Sequence, residues 1–141
     1  MKIPAKVDYA CKALLELSLH WPNPVPLQIN EIAGRQNIPI KFLTHILISL
    51  KQLGLVKSVR GKKGGYILRK SPKEVMLSEV VLHFAEGLVG GGRVKQKKAA
   101  DVIEGVWHGL EEVAWNFLNG ITFEDLADRS RNFEKVLMFT I

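Results

Sequence analysis

The chain has 141 residues, 47% of them hydrophobic and 24% charged, which suits one folded domain with a small appendage and leaves no room for two independent cores. No apolar run approaches the roughly 18–20 residues of a membrane span and the start lacks a signal peptide's apolar stretch, so a soluble cytoplasmic chain is expected; the single cysteine, Cys11, excludes disulfide frameworks, CxxC pairs and four-thiolate zinc sites. The net charge of +6 is divided, because residues 1–98 hold 17 Lys and Arg against 6 acids while residues 99–141 hold 3 against 8.

In chain order, Val7, Ala10, Ala13, Leu14 and Leu17 recur at three- and four-residue steps with Lys6, Lys12 and Glu16 between them, which predicts an amphipathic helix over about 4–20. Pro22, Pro24 and Pro26 stop it near His20, since each removes a donor and favours extended backbone. A short helix follows at about 28–36, with Ile29, Ile32 and Ala33 as its apolar stripe. Asn37-Ile38-Pro39 reads as a tight turn with the proline near the first position of a third helix, about 39–53. That helix is expected to keep Phe42, Leu43, Ile46, Leu47, Leu50 and Leu53 on its core side and Lys41, Thr44, His45, Ser49 and Gln52 on the other. Ile48 fits the pattern poorly. Gly54 is placed to end the helix in the left-handed conformation.

Residues 55–60 and 66–69 are β-rich runs around a loop of glycines and lysines, a hairpin signal. Residues 51–73 carry eight basic side chains and no acid, a concentration that favours a polyanion, nucleic acid first; a solvated basic face is the alternative. Two helices joined by a short turn, with a polar face on the second and a basic hairpin after it, form a winged helix-turn-helix. The expected fold class is therefore mainly α with a small β-hairpin wing and a long dimerisation helix. A helix of this kind fits the major groove, and a hairpin loop can follow the phosphates or enter the minor groove.

Several segments carry a family resemblance: residues 9–17 (YACKALLEL), Glu31-Ile32-Ala33, residues 38–43 (IPIKFL), residues 53–61 (LGLVKSVRG) and Gly64-Gly65-Tyr66-Ile67-Leu68. Together they resemble the Rrf2 family, bacterial winged-helix regulators that include an iron–sulfur cluster regulator, a nitric-oxide-sensing repressor and a cysteine-metabolism repressor. The resemblance is close over residues 1–87, weakens at 88–100 and returns from about 101 through Leu126. It implies a winged domain at 1–87, a flexible basic loop at 88–100 and a dimerisation helix with a C-terminal tail at 101–141. It also implies a homodimeric repressor or activator on a partly palindromic double-stranded operator.

Carried onto this chain, the resemblance places base reading at Lys41, Thr44 and His45, with Arg60 as the wing arginine in the minor groove. The cluster-binding member has a glutamate at the position of Thr44, so operator preference does not transfer. Backbone contacts would fall to Gln28, Lys57, Ser58, Lys62, Lys63 and Tyr66. The bland alternatives are an Arg60 that caps the hairpin, solvated Lys62 and Lys63, an ordinary exposed His45, and a Tyr66 packed under the wing. Phe42 and the neighbouring leucines are assigned to the core.

Cluster-binding relatives carry three cysteines around the loop before the long helix, whereas residues 87–101 here contain none. Asp101 and Glu104 fall at two ligand positions, and carboxylates are poor cluster ligands, so the resemblance points to a branch without a conventional iron–sulfur cluster and to no resident cofactor or metal. Asp101, Glu104 and His108 form a hard-metal site only on the sharper reading; ordinary helix polarity is the blander one. Cys11 lies beside the core stripe, where a thiol behaves as a small hydrophobe. Gly90-Gly91-Gly92 lacks the Walker pattern and reads as a connector, and Arg93, Lys95, Lys97 and Lys98 either contact flanking DNA or keep the loop soluble.

A helix at about 100–119 aligns Val102, Val106, Leu110, Val113 and Phe117 in one row and Ile103, Trp107, Ala114 and Leu118 in the next, with Trp115 widening the apolar surface. So broad a stripe is assigned to a helix-to-helix dimer interface centred on Val106, Trp107, Leu110, Val113, Ala114 and Phe117. Thr122 and Asp125 have capping-box spacing before a short last helix, and Phe133 to Ile141 is apolar enough to pack or pair. His20, His45, His83 and His108 are scattered and no nucleophile–base arrangement is legible, so no catalytic residue is assigned. The function expected is a dimeric, operator-specific DNA-binding regulator; the competing class is a winged-helix adaptor for an enzyme or another regulator, and its effector is unknown.

Overall fold

A computed structural model describes residues 2–22, 25–85 and 100–140. Its elements run α1 (Ala5–Leu19), α2 (Ile29–Gln36), α3 (Ile40–Gln52), β1 (Val56–Val59), β2 (Gly65–Leu68), a 3₁₀ turn (Pro72–Glu74), α4 (Leu77–Phe84), α5 (Val102–Asn119) and α6 (Phe123–Thr140). The basic run and glycines of residues 88–99 lie outside the described residues. No helix among those described is long and apolar enough to cross a membrane.

The three-helix core forms because each apolar stripe predicted from spacing faces the others. Leu14 of α1, Ile32 of α2 and Leu43, Leu47 and Leu50 of α3 are fully buried, joined by Val56 and Leu68 of the hairpin. Each such side chain contributes about 1.5–3 kcal/mol by leaving water. Chain reversals occur where the sequence supplies residues for them: Asn37 ends α2 in the left-handed region at φ 53°, and Gly54 follows α3 at φ 76°. The buried carboxylate of Glu16 is satisfied by Gln36 Nε2 at 2.7 Å and an Arg35 guanidinium N–H at 3.2 Å, which ties α1 to α2.

The C-terminal segment is built into this core. Phe123 at the start of α6 is completely buried in the same cluster, with Leu126 packed against it. Backbone bonds join Leu77 N–H to the Ile121 carbonyl and Phe123 N–H to the Val75 carbonyl, both 2.9 Å, while the buried Ser78 hydroxyl donates to Asn119 Oδ1 at 2.9 Å. Thr122 and Asp125 form the expected reciprocal cap: the Asp125 carboxylate accepts from Thr122 N–H at 3.0 Å, and the Thr122 hydroxyl accepts from Asp125 N–H at 3.1 Å.

Four expectations are corrected. Phe42 is not core: it is 55% exposed at the edge of the apolar sector of α3, where its ring leans on Tyr9 with centroids 6.1 Å apart. Leu53 lies just past the end of α3 and is half-exposed, because the helix no longer directs it inward. The last helix is 18 residues long, not short, since the charged stretch after its cap continues without a breaker. Trp115 does not widen the outer surface of α5 but turns in with Leu118 against Val7, Val81 and Ala85.

Candidate nucleic-acid interface

Helix α3 starts cleanly because Pro39, extended at ψ 129°, precedes it, and Ile38 is buried to anchor the turn. With Leu43, Ile46, Leu47 and Leu50 facing inward, Lys41, Thr44, His45 and Ile48 are all left exposed. The Thr44 hydroxyl donates to the Ile40 carbonyl at 2.9 Å within its own helix.

The wing is an antiparallel hairpin in which Val56 pairs with Leu68 and Val59 with Gly65. Leu27 and Tyr66 exchange backbone hydrogen bonds at 3.0 and 2.8 Å, which docks the hairpin onto the segment before α2. Only glycine suits position 65: its φ is +150°, and a Cβ there would stand 2.2 Å from the Leu27 carbonyl oxygen. Arg60 follows β1, and Lys62 and Lys63 occupy the turn; all three are exposed.

Two ties that spacing did not reveal set the wing's position. The Gln28 side-chain amide donates to the Lys62 carbonyl at 3.3 Å, and the Lys51 ammonium donates to the Ser58 hydroxyl at 3.0 Å. They join residues 34 and 7 apart in sequence, so no local pattern announces them. Lys57 is exposed on β1, while Tyr66 is partly buried and packs against the core.

None of Lys41, Lys51, Lys57, Arg60, Lys62, Lys63, Arg69 and Lys70 belongs to an ion pair among the described residues. Cations that no carboxylate pairs with give a local positive potential suited to phosphate.

A second surface lies on α5. Val102, Ile103, Val106, Trp107, Leu110, Val113 and Phe117 are each between 51% and 83% exposed, whereas Ala114 is half-buried. The other candidates do not converge. Asp101 caps α5 by accepting from Glu104 N–H at 2.8 Å, and Glu104 accepts from Ala100 N–H at 2.7 Å and lies 3.8 Å from His108 one turn on. Among the described residues no three of His, Cys, Asp and Glu are placed to hold a metal ion. Cys11 is half-buried, and burial, with the Asp8 carboxylate adding to it, pushes its thiol up to about 12.

Comparison with known proteins gives this arrangement a family. The Rrf2 family model, described as an iron-dependent transcriptional regulator, matches residues 3–129. The HTH-type transcriptional regulator slr0846 of Synechocystis sp. is 35% identical over 137 residues, covering 95% of this chain and 92% of that relative. An rrf2-like HTH-type regulator of Rhodobacter capsulatus is 48% identical over 81 residues, a match spanning 56% of this chain and 54% of that relative's length. Among solved structures, T. potens IscR superposes with a TM-score of 0.78 at 28% identity, covering 92% of this chain and 88% of that one.

The family's description names iron, which the donors of this chain would have to hold. Iron–sulfur clusters are held by thiolates, and the whole sequence has one cysteine, which lies in α1 with its thiol held protonated. Asp101 and Glu104 are engaged in capping α5. The donor set does not fit a conventional cluster. The chain is a member of the Rrf2 family of winged-helix transcriptional regulators, a DNA-binding regulator rather than an enzyme.

Proposed function

We propose that the protein acts as a homodimer on a partly palindromic operator and represses transcription by occupying it. The observation that carries this reading is the set of unpaired cations on the wing beside the exposed face of α3. Lys41, Thr44 and His45 read base edges in the major groove, and Arg60 enters the adjoining minor groove. Lys57, Ser58, Lys62, Lys63 and Tyr66 hold the phosphates; Gln28 serves the same end by fixing the Lys62 carbonyl.

Dimerisation is supported by the bare apolar face of α5. Seven large apolar side chains more than half exposed on one helix resemble half of an obligate interface, which is a core cut in two. Two winged domains joined through Val106, Trp107, Leu110, Val113, Ala114 and Phe117 present two reading helices to two half-sites. The regulatory signal reaches the protein without a thiolate-held cluster, and acting on DNA places it in the bacterial cytoplasm.

Sedimentation of the wild type and of Leu110→Glu tests this. The wild type is expected to sediment at twice its 15.8 kDa chain mass and the variant as a folded monomer with operator affinity reduced at least a hundredfold. A wild-type monomer that binds as tightly as a dimer would contradict it.

A further inference from the structure

Ile48 is unexplained by the core and by the family's reading residues. At about 100° per residue, Lys41, Ile48 and Gln52 project within about 40° of one another, with Thr44 and His45 to either side. The buried Leu43, Ile46, Leu47 and Leu50 occupy the opposite side of α3. Ile48 therefore stands at the centre of the outward face, 49% exposed and packed into neither hydrophobic cluster. A single exposed isoleucine on an arbitrary surface would mean nothing. This one lies in the middle of a groove-facing surface bounded by unpaired cations.

Thr44 sharpens the point. Its hydroxyl donates to the Ile40 carbonyl at 2.9 Å within the helix, which leaves the methyl group and a spare lone pair facing outward. Ile48 at the centre of the face and Thr44 at its flank thus both present apolar carbon. In the major groove one base edge is apolar, the C5-methyl of thymine.

We propose that α3 reads thymine methyl groups, with Ile48 as the specificity-determining contact and the Thr44 methyl beside it. Lys41, seven residues earlier, lies about 10 Å away along the helix axis. At about 3.4 Å per base pair, a helix lying along the groove sets the thymine about three pairs from the base that Lys41 contacts. The inference rests on α3 being the groove-facing helix, as proposed above.

The test selects a preferred duplex from a random pool and then replaces its thymines one at a time by deoxyuridine, which removes only the methyl. At one position per half-site the wild type should lose about fourfold in affinity per methyl, and about fifteenfold with both half-sites changed. In Ile48→Ala that loss should disappear, while Ile48→Val keeps most of it. Alanine at an exposed helix position preserves α3, so the variant remains folded. Deoxyuridine substitutions that leave wild-type affinity unchanged everywhere, or that weaken wild type and Ile48→Ala equally, would overturn this inference alone. Failure to select any sequence would overturn it together with operator reading itself.

Discussion

Replacing Lys62 and Lys63 together by alanine separates the wing's charge from its shape. The turn is held by backbone: Gly64 N–H donates to the Gly61 carbonyl at 3.0 Å and the Gln28 amide to the Lys62 carbonyl at 3.3 Å, neither of which needs a lysine side chain. Both lysines are exposed and neither is ion-paired, so stability should change by less than about 0.5 kcal/mol. If each neutralises one phosphate, a dimer with two wings releases about four fewer counterions, and the slope of log affinity against log salt becomes shallower by about 3.6. Between about 50 and 200 mM salt the wild type should then lose roughly 150-fold more affinity than the variant. Fluorescence anisotropy of a labelled operator at several salt concentrations measures the slope directly. A slope equal to the wild type's would refute the placement of the wing tip on the phosphates.

Three further outcomes follow from positions inside the fold. Phe123→Ala should destabilise the chain by about 3–5 kcal/mol in urea unfolding, because a completely buried ring is removed, whereas the exposed Phe42→Ala should cost about 1 kcal/mol or less; equal losses would mean that α6 does not share the winged core. Cys11 should resist iodoacetamide at pH 8 in the native protein and react readily in denaturant, since its thiol is pushed up to about 12; rapid native labelling would show an accessible thiolate. The Asp125 carboxyl is held below its usual range by hydrogen bonds from the Thr122 backbone and hydroxyl groups. Its contribution to folding is therefore present above the ordinary carboxylate value and lost as pH falls through the lower native one. Thr122→Ala should cost about 1 kcal/mol at neutral pH and flatten the acid limb of the stability profile, and an unchanged limb would count against the cap.

What was legible in the sequence was local. The stripes of α1, α2 and α3 were visible as three- and four-residue spacing, and Asn37, Gly54 and the Gly-Lys-Lys-Gly-Gly turn marked the reversals between elements. The helix α4 gave no such signal, because eight residues dominated by an apolar run suit a strand as well as a helix. Phe42 escapes the pattern for a related reason: it borders the apolar sector, and only the position of Tyr9 on another helix shows that its ring ends at the edge of the core. The wing's anchoring by Gln28 depends on a contact between distant residues, so it appears only in three dimensions. Of the outward face of α3, the polar residues are legible as polar, while Ile48 is an irregularity in the spacing whose place at the centre of the outward side needs the finished helix.

Operator-specific binding by a dimer is checked by footprinting the purified protein on DNA from its own genome, followed by binding to one protected segment against bulk duplex. A two-fold symmetric footprint is expected, with half-site centres about 34 Å apart or a multiple of that, bound in the nanomolar range and weakening steeply with salt. Equal affinity for every duplex, or none even at low salt, would contradict it.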